Sequence, residues 1–264
     1  MKKELKNLDV DAVVGFGGYI SFCLIFSAKC LKIPAFIHEQ NTIMGNANRV
    51  SQFLVEKVFT SFDKTEKATK RCLYVGNPIA EKVKRTLPST ELFDVVFVMG
   101  SLGSSSVNKI LDKYLEIKER NYKVLVITGK HDFDKFKTKF RYRTDIVVLQ
   151  YDQHLISHIK SCKLVVCRSG ATTLCELMCC AKPSILIPSP YVKNNHQLKN
   201  AQYYSKWGAS KIIEEANLTH EKLKNVIEEL IKNDKQLVRM TQATKHFVKF
   251  NGTEQIINAI EYYG

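Results

Sequence analysis

The sequence predicts an α/β protein built from two doubly wound, Rossmann-like units, the first of them truncated at its N-terminus. Three observations predict it. Short, continuous apolar runs alternate with helix-period segments along all 264 residues. Apolar runs of this kind need cover on both faces, which helices between parallel strands supply. A polar stretch from Lys82 to Glu91, holding Pro88, Ser89 and Thr90, divides the alternation into two series and reads as a linker. With 45% hydrophobic and 25% charged residues, the chain also has a folded composition and not a disordered one.

The elements follow in order. Val10–Val14 is an apolar strand that stops at Gly15-Phe16-Gly17-Gly18, and Ser21–Leu31 reads as a helix ended before Pro34. Ala35–His38, Lys57–Thr60 and Cys72–Val75 are further strands, the last closed by Gly76-Asn77-Pro78. This first series opens directly on a strand, with no strand–helix units before it, which is why its sheet is expected to be truncated. The second series begins with a strand at Phe93–Met99, the turn Gly100–Ser104 and a helix at Val107–Lys118. Strands follow at Lys123–Thr128, Asp145–Leu149, Lys163–Cys167, Ser184–Ile187 and Lys211–Ile213. Between them lie a charged segment at Lys130–Arg143 and helices at His154–Ser161, from about Ala171 to Cys180, and at His196–Lys206. Helices at His220–Lys232, Lys235–Phe250 and Thr253–Tyr262 complete the chain. The expected division is residues 1–85, residues 86–245, and a C-terminal helix in residues 246–264 packing back on the first domain.

The formal charge is +14, from 40 Lys and Arg against 26 Asp and Glu. That balance suits an anionic partner, but Lys outnumbers Arg heavily and no nucleic-acid recognition element is present, so nucleic acid is not an expected partner. The eight cysteines form no CxxC pair, and most sit in apolar runs such as Leu164–Cys167. They read as small buried hydrophobes in a reducing compartment, and no metal site is expected. The start, Met1-Lys2-Lys3-Glu4, has no leader pattern, and the longest apolar stretch, Ile20–Ala28, is too short to span a bilayer. The apolar residues Phe22, Leu24, Ile25 and Phe26 read as core, with a membrane-facing patch as the alternative.

In open parallel sheets, ligands sit at the carboxyl ends of strands, so the strand-to-helix turns carry the candidate chemistry. Arg168-Ser169-Gly170-Ala171-Thr172-Thr173 follows a strand and opens a helix, where free N–H groups and the positive dipole end attract phosphate oxygens. Glu176, on the same helix, can accept hydrogen bonds from two vicinal ribose hydroxyls. Read alone, the same residues also make an ordinary capped helix. Gly100-Ser101-Leu102-Gly103 can cradle phosphate or can simply turn the chain. Gly15, Gly17, Gly18 and Tyr19 allow close backbone approach, while His38-Glu39-Gln40-Asn41 concentrates polar groups at a strand end where each needs a partner. Pro188–Gln197 is a polar loop whose amides can read sugar hydroxyls or cap the next helix. A dehydrogenase is excluded, since no G-x-G-x-x-G with a following acidic residue occurs.

In this order, Gly15–Tyr19, His38–Asn41, Gly76-Asn77-Pro78, Cys167–Glu176 and Pro188–Gln197 resemble the MurG family over nearly the whole chain. The resemblance implies a GT-B fold and an inverting glycosyltransferase of peptidoglycan biosynthesis. Such an enzyme moves N-acetylglucosamine from UDP-N-acetylglucosamine to lipid I, forming lipid II, with no cofactor or metal. It implies a cytoplasmic protein, peripheral on the inner face of the cell membrane. It implies that Asn41 contacts the donor sugar side, Ser101 the diphosphate, and Ala171, Thr172, Thr173, Leu174, Cys175 and Glu176 the nucleotide. Gln197 binds sugar hydroxyls, and backbone near Asp152 holds the uracil with Arg168 nearby. Gly15, Gly17, Gly18, Tyr19, His38 and Glu39 line the cleft wall, and His38 is a candidate base by position alone. Ile79 and Ala80 stand where many relatives carry Arg, and Asp152 stands at a usually apolar position. The family's first glycine-rich, His-containing loop has no counterpart here, so a donor-binding chain that needs a separate N-terminal part is the alternative.

Overall fold

The computed structural model describes residues 1–69, 72–100, 103–118, 120–245 and 248–263, in two compact units. One comprises Met1–Lys84 with Phe247–Gly264, the other Arg85–His246.

In the first unit, α1 (Lys2–Asn7) precedes β1 (Val13–Gly15), so a helix and not a strand comes first. Its single buried residue, Leu5, anchors it to the core around Ile25 and Ala28, a signal too sparse to register in the sequence. Then come α2 (Gly18–Leu31), β2 (Ala35–Glu39), α3 (Asn46–Ser51), β3 (Lys57–Thr60), β4 (Cys72–Tyr74) and α4 (Ile79–Arg85). The four strands pair in parallel in the order β1-β2-β3-β4. All five residues of β2 are buried, as a strand covered on both faces requires. The linker expected from Lys82 begins later, because α4 runs through Arg85 and buries Ala80 and Val83.

The second unit holds β5 (Val95–Val98), α5 (Ser105–Leu115), β6 (Val124–Ile127), α6 (Phe133–Phe140), β7 (Ile146–Leu149) and α7 (Leu155–Ser161). It continues with β8 (Leu164–Cys167), α8 (Ala171–Cys179), β9 (Ser184–Leu186), α9 (His196–Ser205), β10 (Ser210–Ile212), α10 (His220–Ile231) and α11 (Asp234–Thr244). The helix expected to reach Phe250 stops at Thr244. Six parallel strands lie in the order β10-β9-β8-β5-β6-β7. The chain builds outward from β5 to β7, then returns to place β8 against the other side of β5. Winding direction therefore reverses between β5 and β8, and the turns leaving these two strands diverge and open a crevice. Strands β5, β6 and β8 are buried throughout and pack with α5, α6 and α10 into one core.

The last helix, α12 (Gly252–Tyr263), returns to the first unit, where Ile256 packs with Phe36, Phe59 and Val75. The approach is close: a Cβ on Gly252 would lie 2.4 Å from the Val75 carbonyl oxygen. Lys249 donates from Nζ to the Tyr74 carbonyl at 2.8 Å.

Candidate functional site

In the second unit, Val98 and Cys167 are register partners on β5 and β8, so the turns beyond them start side by side. Helices α5 and α8 begin from those turns with Ser104 and Gly170 as N-caps, and neither makes a side-chain cap bond. Two helix N-termini with N–H groups uncovered by side chains thus flank the switch point, an arrangement that attracts phosphate.

Arg168 braces the two turns. Its Nη1 donates to the Ile187 carbonyl at 3.1 Å and its Nη2 to Ser104 Oγ. Nη2 also lies 2.6 Å from Glu215 Oε2, and both side chains are nearly buried, at 12% and 9% exposure. Ser106 donates to the other Glu215 oxygen at 2.6 Å. The ends of β8 and β9, the start of α5 and the short turn at Glu215–Asn217 are therefore held by one ion pair and its hydrogen bonds. The Arg168 charge, expected near the uracil, is met by Glu215.

The run expected to line the nucleotide divides by helix face. Ala171, Thr172, Thr173 and Glu176 are partly or fully exposed, whereas Leu174 and Cys175 are buried. Leu174 and Cys175 turn their side chains into the protein, so these two residues present only their backbone to a ligand at this helix end. Glu176 is the sixth residue of α8. The loop after β9 is tied to the same turn: Ser169 Oγ donates to the Gln197 carbonyl at 2.8 Å, and Asn200 Nδ2 donates to the Ser169 carbonyl at 3.3 Å. Gln197 Oε1 accepts from the Ser189 N–H at 2.9 Å, which fixes its amide across the loop mouth. Asn195 is the N-cap of α9 but makes no side-chain cap bond. Asp152 turns inward, accepting from the His154 N–H at 2.8 Å and pairing with His158 Nδ1 at 2.7 Å, so only its backbone remains available to a base. Ser101 lies outside the described residues.

In the first unit, Gly17 and Gly18 take positive φ angles of 93° and 82° where the chain enters α2. A Cβ on Gly15 would meet Ser21 Oγ at 2.3 Å. Tyr19, just beyond, is exposed. Glu39 organises the following loop: one carboxylate oxygen accepts from the Asn41 N–H and Nδ2 at 3.0 and 3.1 Å. The other accepts from the Gly45 N–H and Asn48 Nδ2 at 3.0 and 2.9 Å. Asn41 is thus held by Glu39 at the end of β2. His38 is fully buried, with Nε2 2.9 Å from the Gly76 carbonyl, which can only accept, so Nε2 carries a proton and donates. Burial pushes its pKa below the ordinary value, against the smaller upward pull of the Gly76 carbonyl and Glu39. A ring with one nitrogen committed and none of its surface in solvent is poorly placed to take a proton from a substrate hydroxyl. Here it links the ends of β2 and β4.

Sequence reasoning missed Glu215, Ser104, Ser106 and Asn48. Glu215 and Asn48 carry no local motif, while Ser104 closes the small turn after β5 and Ser106 stands on the first turn of α5. Among the described residues, no group of three or more His, Cys, Asp or Glu side chains could hold a metal ion.

Two parallel α/β units, with paired uncapped helix N-termini at a switch point in the second, are the parts of a GT-B fold. Residues 95–256 match the glycosyltransferase family 28 C-terminal domain and residues 1–60 the family 28 N-terminal domain. The chain is 33% identical, over 98% of its length and 76% of the relative's, to the UDP-N-acetylglucosamine–N-acetylmuramyl-(pentapeptide) pyrophosphoryl-undecaprenol N-acetylglucosamine transferase of Latilactobacillus sakei. The protein of the same name from Bacillus licheniformis is 32% identical over similar shares, 98% and 75%. The crystal structure of Acinetobacter baumannii MurG superposes with a TM-score of 0.81 at 25% identity, covering 99% of this chain and 77% of that one. The chain belongs to the MurG family.

Proposed function

We propose that this protein transfers N-acetylglucosamine from UDP-N-acetylglucosamine to lipid I and forms lipid II. The observation that carries this reading is the pair of uncapped helix N-termini braced by Arg168, in a chain of the MurG family. The donor diphosphate rests against the starts of α5 and α8, where N–H groups and helix dipoles offset its charge. No metal or cofactor is invoked for that step. Glu176 accepts from the ribose hydroxyls, the Gln197 amide reads sugar hydroxyls, and backbone beside Asp152 meets the uracil. In an inverting displacement, the acceptor 4-hydroxyl oxygen bonds to the anomeric carbon as the carbon–oxygen bond to the diphosphate breaks. The hydroxyl proton passes to a base and UDP departs. Stabilising the leaving diphosphate is where the helix ends contribute most.

The acceptor is lipid-linked, so the enzyme works peripherally at a membrane surface, on its cytoplasmic side. Support comes from α2, where Ile25 belongs to the core but Tyr19, Ile20 and Phe26 are at least half exposed, with Phe16 just before them. Phe26 thus lies outside the core expected for it. Lys2 Nζ lies 5.9 Å from the Phe26 ring centre, and Lys29 and Lys32 follow on α2 and its end. Exposed apolar side chains on a helix that also carries cations suit an anionic bilayer surface. No helix among the described residues is long and apolar enough to cross a membrane.

The test is calorimetric titration with UDP-N-acetylglucosamine together with lipid I turnover in EDTA. Binding and turnover are expected, with Glu176→Ala weakening donor affinity by about tenfold or more. Absence of donor binding by the folded protein overturns the reading.

A further inference from the structure

Ser104 has everything a helix cap needs except the bond. Serine is among the strongest N-caps, and the Ser104 backbone is extended as a cap requires, with φ −138° and ψ 94°. Its carbonyl already accepts from the Asn108 N–H at 2.7 Å, the first bond of α5. In the same unit Thr219 and Asn233 do cap α10 and α11, accepting from the Lys222 and Gln236 N–H groups at 3.1 and 3.0 Å. The Ser104 hydroxyl instead accepts from Arg168 Nη2 and lies 3.4 Å from Ser106 Oγ. The amides it would otherwise meet are those of Ser106 and Val107, second and third in α5.

Glu215 keeps Arg168 in that place. It stands on the short turn after β10, 109 positions from Ser106 along the chain. One carboxylate oxygen lies 2.6 Å from Arg168 Nη2, and the other accepts from Ser106 at 2.6 Å. Arg168, Ser104, Ser106 and Glu215 thus close a ring. The guanidinium is 12% exposed, and a charge so shielded holds its position only beside its counter-ion. Without the carboxylate, the guanidinium relaxes toward solvent and Ser104 loses its donor. A step of χ1 between staggered rotamers then returns Oγ to its own helix terminus.

We propose that Glu215 is a positioning residue for the donor, acting through Arg168. It keeps the Ser104 hydroxyl off the α5 amides, so the donor diphosphate meets an open helix terminus. A cap and a phosphate compete for the same N–H groups. The inference rests on the donor reading given above and adds to it the device that holds the site open.

The experiment measures UDP-N-acetylglucosamine affinity by calorimetry in the full chain as wild type, Glu215→Met, Ser104→Ala and the double variant. Glu215→Met is expected to weaken the donor about fivefold more with Ser104 present than on the Ser104→Ala background, the factor that an ordinary cap bond supplies. The electrostatic effect of losing a carboxylate is common to both backgrounds and cancels in that ratio. Equal fold-changes on the two backgrounds overturn the proposal. A second arm needs no donor. Amide hydrogen exchange at Ser106 and Val107, read by NMR, should slow several-fold in Glu215→Met and return to the wild-type rate when Ser104→Ala is added. A merely structural brace would speed that exchange when broken, so unchanged or faster exchange also overturns the proposal. Glu215→Gln, which keeps an oxygen for Ser106, repeats both arms if Glu215→Met does not fold. Slowed exchange in a protein that binds no donor overturns the donor reading and leaves the hold of Glu215 on Ser104 standing.

Discussion

Replacing Arg168 by Met strands a carboxylate. Glu215 is 9% exposed and faces Arg168 at 2.6 Å, so Arg168→Met leaves it charged, nearly buried and without its counter-ion. It also leaves the Ile187 carbonyl and Ser104 hydroxyl without their guanidinium donor. Breaking a buried pair from one side costs about 3–5 kcal/mol, most of it the penalty on the remaining charge. Adding Glu215→Gln removes that charge while keeping an oxygen for Ser106, so the double variant should recover about 2 kcal/mol or more. The assay is urea unfolding followed by the fluorescence of Trp207, the sole tryptophan and a residue of the second unit. Because the pair is shielded from solvent, its coupling should persist in about 0.5 M salt. A coupling below about 0.5 kcal/mol, the ordinary error of additivity, would refute the reasoning. Donor affinity should stay low in both variants, since the brace between the turns is absent from both.

Three more outcomes are expected. Gly103→Ala places a Cβ 2.3 Å from the Thr128 carbonyl oxygen at a φ of 81°, so stability should fall by about 2 kcal/mol or more, read from the same urea midpoint. Folded His38 has a pKa below its ordinary value of 6.5, so the unfolded chain binds the proton more readily. Its contribution is full above about pH 6.5 and is lost as pH falls from there towards the folded pKa; His38→Gln should flatten that limb of a stability–pH curve. Cys162, pushed up to about 12 by burial, and Cys167, raised further by complete burial, should resist alkylation at neutral pH until the chain unfolds. Exposed Cys30 should be labelled in the native protein, as peptide mass analysis would show.

The elements that were legible are those whose signals are local. A strand, its glycine-rich exit and the helix beyond it occupy one short window, so the start of α8 follows from sequence at Ala171, while α2 and α5 start at Gly18 and Ser105, ahead of the expected Ser21 and Val107. α3 could not be placed: six residues, Asn46–Ser51, bury only Asn48 and Ser51, and Asn48 is there to meet a carboxylate nine residues earlier. α4 has no such signal: its seven residues bury only Ala80 and Val83, and the polar stretch from Lys82 with Pro88-Ser89-Thr90 reads as a linker instead. A motif names Ala171 to Glu176 as consecutive residues, whereas the helix presents only some of them on one face and turns Leu174 and Cys175 inward.

The sequence by itself determined the parallel α/β architecture, the division into two series, and which strand exits carry phosphate-seeking turns. Periodicity, glycine placement and capping act over a few residues and are written where they act. Only the tertiary structure decided which polar groups became partners. Arg168 found Glu215, Glu39 gathered Asn41, Gly45 and Asn48, and His38 closed on the Gly76 carbonyl. The pairings of Arg168 and His38 depend on which strands lie adjacent and how far each turn reaches, and such long-range packing leaves no local signal.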